Sequence, residues 1–315
     1  MLKIHQSSQP TEEFLKLSQN TISPDFKTEY FTVFKNEKAV GRAAAIVNPE
    51  LSFKNLKTGL IGLYECDADD EVAEMLLKAV EEFSKKQGFE YIIGPMDGST
   101  WHKYRFAESE GGEFFLDVKN PAWYPAHFLK AGFEPISKYY SSRGEMHKTE
   151  SSRVQIFVER FKSRGVTIRS IDAENFDVEI RAIYEISTAS FKNNFLYTPI
   201  AFEEVAAMYA PLKNIFDPRF MLIAENVEKR PLAFIFALQD ILAKDEKKLI
   251  IKTVAAIPES EARGLGTLLV EMIHERAAEY GFAEIIHALM HESNTSMNIM
   301  SGDIFRRYVL FGKAL

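Results

Sequence analysis

Apolar residues recur with two periods along the first half of the chain and predict alternating strands and helices. The runs TGLIGLYECD (58–67) and FEYIIGP (89–95) are short, apolar and bounded by polar or turn residues, as expected of buried strands. Between them lie apolar positions that share one face of a helix: Val72, Met75, Leu76, Val80 and Phe83. A strand, a helix and a second strand in this order predict a parallel pair joined by a crossover.

The second half repeats this order. KKLIIKTVAAI (247–257) predicts a long strand, an amphipathic helix follows, and AEIIHALMH (283–291) predicts the next strand. Repetition at this scale indicates an internal duplication. We therefore expect an α/β (α+β) fold with two domains, residues 1–149 and residues 150–315, and a helical connector over about 150–165.

The turn before the helix of the second copy has the composition of a phosphate-binding loop. Arg263-Gly264-Leu265-Gly266-Thr267 leads directly from Pro258 into the helix. Two glycines let the backbone approach a ligand, and the first amides of a helix have no partners within it. These amides and the positive end of the helix dipole favour a pyrophosphate. The first copy has ECDADDEV (65–72) at this point, which offers carboxylates instead.

Two common nucleotide-binding motifs do not fit these glycines. A Rossmann fingerprint needs a third glycine at position 269, where the chain has Leu269. A Walker loop needs a lysine directly after the last glycine, where the chain has Thr267. A plain strand–turn–helix, in which the glycines serve only the turn, stays open as an alternative.

The loop resembles motif A of the GNAT acyltransferases, V-x-P-x-x-[RQ]-x-x-G-x-[GA] between a strand and a helix. Pro258, Gly264 and Gly266 fit this spacing without a gap, and Ala256 takes the small apolar position. Glu261 departs from the pattern, which has Arg or Gln there, so Arg263 is the candidate for the missing positive charge.

The resemblance implies two GNAT-like domains, each a mixed, mostly antiparallel sheet flanked by helices with a splayed central parallel strand pair. Only the second domain is expected to bind acetyl-CoA or a related acyl-CoA. The implied cofactor-binding residues are Val254, Ala255, Ala256, Arg263, Gly264, Leu265, Gly266, Thr267 and Asn294.

Catalytic candidates follow the strand that would separate from the motif strand. In the family a base removes the proton of the acceptor amine, and the candidates by position are His287, His291 and Glu292. The tyrosine that many relatives use as general acid is replaced by Ser301, and Met297 stands at the small apolar position after Asn294. Tyr308 is the substitute acid candidate. Each of these residues has an alternative structural role, at a strand end or in packing.

An aromatic-rich segment of the first half also resembles a subset of bacterial tandem GNAT-like proteins. GPMDGSTWHKYRF (94–106) leads into NPAWYPAHFLKAGFEPISKYY (120–140). The aromatic and basic side chains in question are Trp101, Tyr104, Arg105, Trp123 and Tyr124. They either line a substrate pocket between the domains or pack the interface between them.

Composition removes several other classes of function. The 38 basic and 45 acidic residues give a net charge of −7 and form no basic stripe, which argues against a general nucleic-acid binder. The single cysteine, Cys66, and an N-terminus without an apolar core predict a cytoplasmic protein. No apolar run reaches the roughly 18 residues of a membrane span, and the histidines lack metal-ligand spacing.

The sequence therefore predicts an acyl-CoA-dependent N-acyltransferase, most simply an acetyltransferase acting on a small-molecule or peptide amine. The alternative is a CoA-binding or regulatory protein that kept the fold and lost turnover, which Glu261 and the replaced tyrosine favour. A transferase of aminoacyl or longer acyl groups is a third possibility.

Overall fold

The computed structural model describes residues 1–18, 22–23, 25–109, 111–145, 151–294 and 302–315. Met297 and Ser301 lie outside the described residues. The strands are β1 (Leu2–Ser7), β2 (Lys27–Lys35), β3 (Lys38–Val47), β4 (Ser52–Phe53), β5 (Leu56–Cys66), β6 (Tyr91–Gly94), β7 (Phe106–Ala107), β8 (Glu134–Glu145), β9 (Thr167–Ser170), β10 (Met221–Glu225), β11 (Pro231–Gln239), β12 (Lys248–Ala256), β13 (Glu284–His291) and β14 (Asp303–Ala314).

The helices are α1 (Glu12–Leu17), α2 (Asp70–Lys86), α3 (Tyr124–Lys130), α4 (Ser151–Lys162), α5 (Phe176–Phe191), α6 (Phe202–Tyr209) and α7 (Leu265–Glu279). Short 3-10 turns span Ala210–Leu212, Pro218–Phe220 and Ser260–Ala262. Among the described residues, no helix is both long and apolar enough to cross a membrane.

Both predicted strand–helix–strand units are present, and each forms a parallel pair. In the first half, β5 pairs with β6 across α2, whose N-terminus is capped by the Asp69 carboxylate, which accepts from the Glu71 and Val72 amides. In the second half, β12 pairs with β13 across α7. The other neighbouring strands are antiparallel, so the mixed, mostly antiparallel fold class is confirmed.

The two halves share one continuous sheet. Its strand order is β1-β2-β3-β5-β6-β14-β8-β13-β12-β11-β10-β9, with β4 on β5 and β7 on β14. The last strand of the chain therefore lies inside the first half, between β6 and β8, and β8 in turn pairs with β13 of the second half. The predicted boundary at 149/150 falls outside the described residues. The sheet crosses it, because β14, which follows the boundary in sequence, lies between β6 and β8, which precede it.

Helices cover the sheet because their apolar faces need burial. Helix α2 packs on β2, β3 and β5, with Leu76, Leu77 and Val80 fully buried. Helices α5 and α7 pack on β11 and β12, and Ile186, Leu269 and Ile273 are buried there. Burying one such side chain contributes about 1.5–3 kcal/mol to the stability of the fold. The buried face of α7 therefore holds this helix in place against β12.

The exchanged strand predicts that the first half does not fold without the C-terminus. A fragment of residues 1–145 leaves facing edges of β6 and β8 without their common partner, so we expect no cooperative unfolding transition. Appending residues 303–315 through a short Gly-Ser linker is expected to restore the transition, because β14 runs antiparallel to β8 from Arg143 onward. Urea denaturation followed by circular dichroism measures this. A scrambled 303–315 segment is the control, and a cooperative transition in the 1–145 fragment alone would contradict the prediction.

Candidate active site

The parallel pair of the second half separates along its length. Strands β12 and β13 are paired from Lys248 and Glu284 to Ile251 and His287. Both strands continue beyond that point, to Ala256 and His291. A gap therefore opens between them on the side toward which both chains run.

Irregular backbone on both strands accompanies the gap. The register between β11 and β12 shifts after Ile251, so that Lys252 is the extra residue of a bulge. The register between β13 and β8 shifts between His287 and Met290, and Leu289 in the bulge has φ of 60°. The Leu289 amide donates to the Ser141 Oγ at 3.0 Å instead of to a strand. The two bulges turn the ends of β12 and β13 away from each other.

The register of β12 shows which of its amides face the gap. The Ile257 amide donates to the Leu232 carbonyl at 2.9 Å, so that pair bonds across β11 and β12. Hydrogen-bonded pairs alternate with non-bonded pairs along an antiparallel ladder. The N–H groups of Ala255 and Thr253 on β12 therefore also point toward β11. The N–H groups of Val254 and Ala256 consequently point to the side of β13, where no described strand pairs with them.

The glycine loop is open to solvent. Gly264 has φ of 91° and immediately precedes α7, a conformation that glycine adopts without strain. Gly264 is exposed, and a Cβ built on it would lie 3.8 Å from Phe161 Cζ as its nearest neighbour. A Cβ on Gly266 would lie 3.7 Å from Val254 Cγ2. Among the described residues, no atom would lie closer than 3.7 Å to a Cβ on either glycine, so the turn has room beside its backbone.

The charged residues around this loop divide into two groups. Arg263 is exposed next to Gly264. The Arg230 guanidinium donates two hydrogen bonds, of 2.5 and 2.8 Å, to the Glu259 carboxylate. Glu261 also interacts electrostatically with Arg230. The carboxylates are therefore partly neutralised, while Arg263 is available to an anion at the start of α7.

A cavity of about 620 Å³ lies where β12 and β13 separate. The second half supplies most of its wall: Ser187, Phe191, Asn193, Asn194, Phe195, Tyr197, Val205, Met208, Tyr209, Ile251, Lys252, Thr253, Val254, His287, Ala288, Leu289, Met290, His291, Ser293 and Asn294. The first half supplies Thr100, Trp101, His102, Tyr104, Arg105 and Tyr139. The site thus lies between the halves, and three of the five aromatic and basic side chains singled out in the sequence line it. Trp123 and Tyr124 instead lie at the end of β5, where they bond to Cys66.

His291 is held in the wall by hydrogen bonds at both ring nitrogens. Its Nδ1 accepts from the Ser293 amide at 3.1 Å, so in the neutral ring Nε2 carries the proton and donates to Ser137 Oγ at 2.8 Å. The Ser293 hydroxyl also lies 2.7 Å from Nδ1. Burial lowers the pKa of His291, Glu292 opposes this, and the positive charge of Arg105 lowers the pKa further. The imidazole is neutral at physiological pH as a result.

Three other predicted site residues have different surroundings. Asn294 lines the cavity, and its backbone N–H donates to the His291 carbonyl at 2.9 Å. Glu292 does not line the cavity, because its carboxylate accepts from the Lys138 amide at 3.0 Å and extends the pairing with β8. Tyr308 is fully buried outside the cavity lining, and its hydroxyl donates to Asp117 at 2.7 Å and lies 3.0 Å from Ser141 Oγ. Neither Glu292 nor Tyr308 lines the cavity, so the structure does not bring them together with His291 there.

Two cavity cations were not among the predicted catalytic or cofactor-binding residues. Arg105 is buried between the rings of Tyr104 and Tyr139, with its guanidinium carbon 4.1 and 4.4 Å from the ring centres. Lys252, the bulge residue of β12, donates to the Leu116 carbonyl at 2.7 Å. Burial, together with repulsion from Arg105, lowers the pKa of Lys252 to about 7, and the attraction of Asp117 opposes both. In the sequence, Lys252 stands out only as one of several neighbouring lysines.

The corresponding point in the first half is closed. The Met96 amide donates to the Ile61 carbonyl at 2.8 Å, so β5 stays bonded to the chain that follows β6. The Asp97 carboxylate accepts from the Leu63 amide at 2.7 Å, and burial raises the pKa of this carboxyl. A Cβ on Gly62 would lie 2.8 Å from Asp97 Oδ1. A buried carboxylate therefore fills the position where the second half has a gap.

The comparison with curated proteins gives two distant relatives, and no protein-family model matches the chain. Protein YghO of Escherichia coli strain K12 is 24% identical over 301 residues, which cover 82% of this chain and 74% of that protein. The bacterial ceramide synthase of Caulobacter vibrioides is 20% identical over 204 residues, which cover 63% of this chain and 53% of that protein.

Solved structures match over the whole chain. A tandem GNAT protein from the clavulanic acid biosynthesis pathway has a TM-score of 0.53 at 10% identity, and the match covers 100% of this chain and 98% of that one. Other matches, with TM-scores from 0.50 to 0.57, include GCN5-related N-acetyltransferases. At such identities the likeness is one of fold, and the two halves, the separated strands and the open glycine loop agree with it. The chain thus has the fold of GNAT-type N-acetyltransferases, tandem ones included.

Proposed function

We propose that the protein transfers an acyl group from acetyl-CoA or a related acyl-CoA to an amine. The observation that carries this proposal is the continuity of the site: an open anion-binding turn at the start of α7, the free edge of β12, and a cavity beyond it. The diphosphate of the cofactor would bind the amides of Gly264 to Thr267, with Arg263 beside them. The pantetheine would then follow the free edge of β12, where Ala255 keeps the strand bonded to β11.

The Val254 amide is suited to polarise the thioester. Its N–H points into the gap, and a fixed donor at the carbonyl oxygen stabilises the charge that develops there during attack. Ala256, the next residue with the same orientation, would bond the pantetheine. Asn294, on the opposite wall, is the candidate to bond the acyl-CoA from the β13 side.

His291 is suited to act as the base. An amine proton passes to the Ser293 hydroxyl while the hydroxyl proton moves to His291 Nδ1, and the resulting imidazolium keeps its Nε2–H on Ser137. The acceptor enters as an ammonium ion, and this transfer leaves it as the neutral amine. The amine nitrogen then bonds to the acyl carbon, the carbon–sulfur bond breaks, and the second nitrogen proton passes to the departing CoA thiolate. The imidazolium returns its proton to solvent through Ser293. The products are an amide and CoA.

The name of the Caulobacter relative agrees with N-acylation, since a ceramide is an amide of a fatty acid. The cavity wall also carries large apolar side chains, among them Trp101, Phe191 and Phe195. These observations support including long-chain amino alcohols and long-chain acyl-CoAs among the substrates tested. The alternative, a CoA-binding protein without turnover, is favoured by Glu261, which lies directly before the glycine turn, and by Ser301 in place of the tyrosine.

The decisive measurement pairs calorimetric titration with product analysis. Acetyl-CoA and longer acyl-CoAs are titrated into the protein, and each binder is then incubated with amino acids, polyamines, peptides and sphinganine. The proposal expects binding and a new amide detected by mass spectrometry. Binding without any amide product across the panel would support the regulatory alternative, and no binding at millimolar ligand would refute both.

Gly264→Asp is expected to weaken acyl-CoA binding by about a hundredfold, because it adds a carboxylate beside the diphosphate at the start of α7. Gly264→Ala adds a side chain at the same positive φ without a charge, so its affinity shows how much of the loss comes from backbone strain alone. The matched control is Gly281→Asp, since Gly281 has φ of 73°, an open neighbourhood and a position just after the other end of α7. Calorimetry measures the affinities. Equal losses in the two Asp variants would place the effect in the backbone and contradict the assigned site.

His291→Asn is expected to lower the transfer rate by about a hundredfold without changing acyl-CoA affinity. The neutral imidazole is the active form, and the pKa of His291 lies below its usual range of about 6.5. The wild-type rate should therefore be level above that range and fall as the pH drops through the lowered pKa. The variant should lose this acid limb, whereas the exposed control His5→Asn should keep it. An unchanged limb in His291→Asn would exclude the residue as the base.

Tyr308→Phe is expected to lower the free energy of unfolding by about 1–3 kcal/mol, because it removes a donor from the buried Asp117 carboxylate. The transfer rate should stay close to wild type, since the hydroxyl does not line the cavity. Urea denaturation and the transfer assay measure the two quantities. A lost rate at unchanged stability would restore Tyr308 as the general acid.

A further inference from the structure

We propose that Arg105 and Lys252 form a subsite for a carboxylate or phosphate group carried by the acceptor amine. This inference rests on the proposed acyl transfer and adds the chemical class of the acceptor. It begins from two cations that line one cavity from opposite halves of the chain.

Arg105 is a fixed cation without a carboxylate partner in the part of the chain that the structure describes. Only 8% of the residue is exposed, and its side chain lies between two tyrosine rings. Its Nη1 donates to the Tyr104 hydroxyl at 2.9 Å, while its buried Nε has no hydrogen-bond partner. Buried charges are ordinarily paired, because an isolated one loses its hydration without compensation.

Two other buried arginines have different partners, although Arg42 Nε and Nη2, like Arg105 Nε, have no hydrogen-bond partner among the described residues. Arg306 pairs with Asp117 at 2.7 Å, and Arg42 donates to two backbone carbonyls, those of Phe14 and Ser18. Arg105 has neither arrangement among the described contacts. Its planar guanidinium, held in place by aromatic rings, is preorganised to bind a carboxylate or phosphate with two parallel hydrogen bonds.

Lys252 brings a second basic group to the same cavity. Its ammonium donates to the Leu116 carbonyl, and none of the described ion pairs includes it. It lies close enough to Arg105 for the two charges to repel each other. Repulsion from Arg105 disfavours the charged form of Lys252, and an anion bound between the two groups would favour that form.

The anion fits the acceptor better than the cofactor. The glycine turn at Gly264–Thr267, where a diphosphate would bind, does not line the cavity. His291 does line it, and its ring packs edge-on against Tyr139, which also covers Arg105. An acceptor held by its anionic group at Arg105 would thus place its amine beside the proposed base.

The test uses matched probes and binding as the readout, so that it does not depend on turnover. Calorimetry on the full chain in the presence of CoA, near neutral pH, compares 6-aminohexanoate with hexylamine, and phosphoethanolamine with ethanolamine. Each anionic probe is expected to bind about tenfold or more tightly than its partner. Arg105→Gln and Lys252→Met should each remove most of that preference, whereas the exposed controls Arg143→Gln and Lys247→Met should preserve it.

The outcomes separate the possibilities. Equal binding of the members of each pair, or an unchanged preference in both variants, overturns the subsite. A loss of CoA affinity in Arg105→Gln with unchanged probe binding assigns the cations to the cofactor and also overturns it. If Arg105→Gln does not fold, the subsite is tested by two results: the preference of the wild type for the anionic probes, and the loss of that preference in Lys252→Met. A clear preference without any acyl-CoA binding would support the subsite and refute the transferase.

Discussion

The separation of β12 from β13 is the constraint on which the rest of the site depends. Four residue pairs hold the strands together at one end, and bulges at Lys252 and Leu289 part them at the other. Backbone N–H groups left without a partner are costly when water is excluded, so the free edge at Val254 is stable only while solvent or a ligand bonds to it. The gap thus leaves a stretch of β12, at Val254 and Ala256, whose amides have no described strand partner.

The first half shows the same unit without the gap. Its parallel pair also stops early, at Leu60 and Ile93, but the chain after β6 stays bonded to β5 and the Asp97 carboxylate accepts the Leu63 amide. The Asp97 carboxylate occupies the Leu63 N–H, which is the kind of donor that a thioester or pantetheine would need. A carboxylate would also repel a phosphate. The duplicated unit is therefore closed in the first half, which contributes Arg105 and aromatic walls to the cavity, and open in the second half between β12 and β13.

Local patterns in the sequence predicted the elements that local physics determines. The period of apolar residues located α2 and both parallel pairs, and Gly264 and Gly266 marked the open turn, because a glycine-rich helix start is encoded within a few residues. The exchange of β14 was not predictable in this way, since pairing with β6 and β8 joins residues more than 150 positions apart. Glu292 and Tyr308 were plausible candidates by position, but their partners depend on long-range pairing: Glu292 meets Lys138 because β13 pairs with β8, and Tyr308 meets Asp117 because β14 lies in the first half.

The strand exchange also explains how a site made from both halves keeps its geometry. Tyr139 lies on β8, which is bonded to β14 on one side and to β13 on the other. Its ring contacts the Arg105 guanidinium of the first half and the His291 ring of the second. Two domains joined only by a flexible linker would move relative to each other and lose such contacts, whereas a continuous hydrogen-bonded sheet holds the cation and the base at a fixed separation. The continuity of the sheet therefore fixes the position of Arg105 and His291 relative to the gap between β12 and β13.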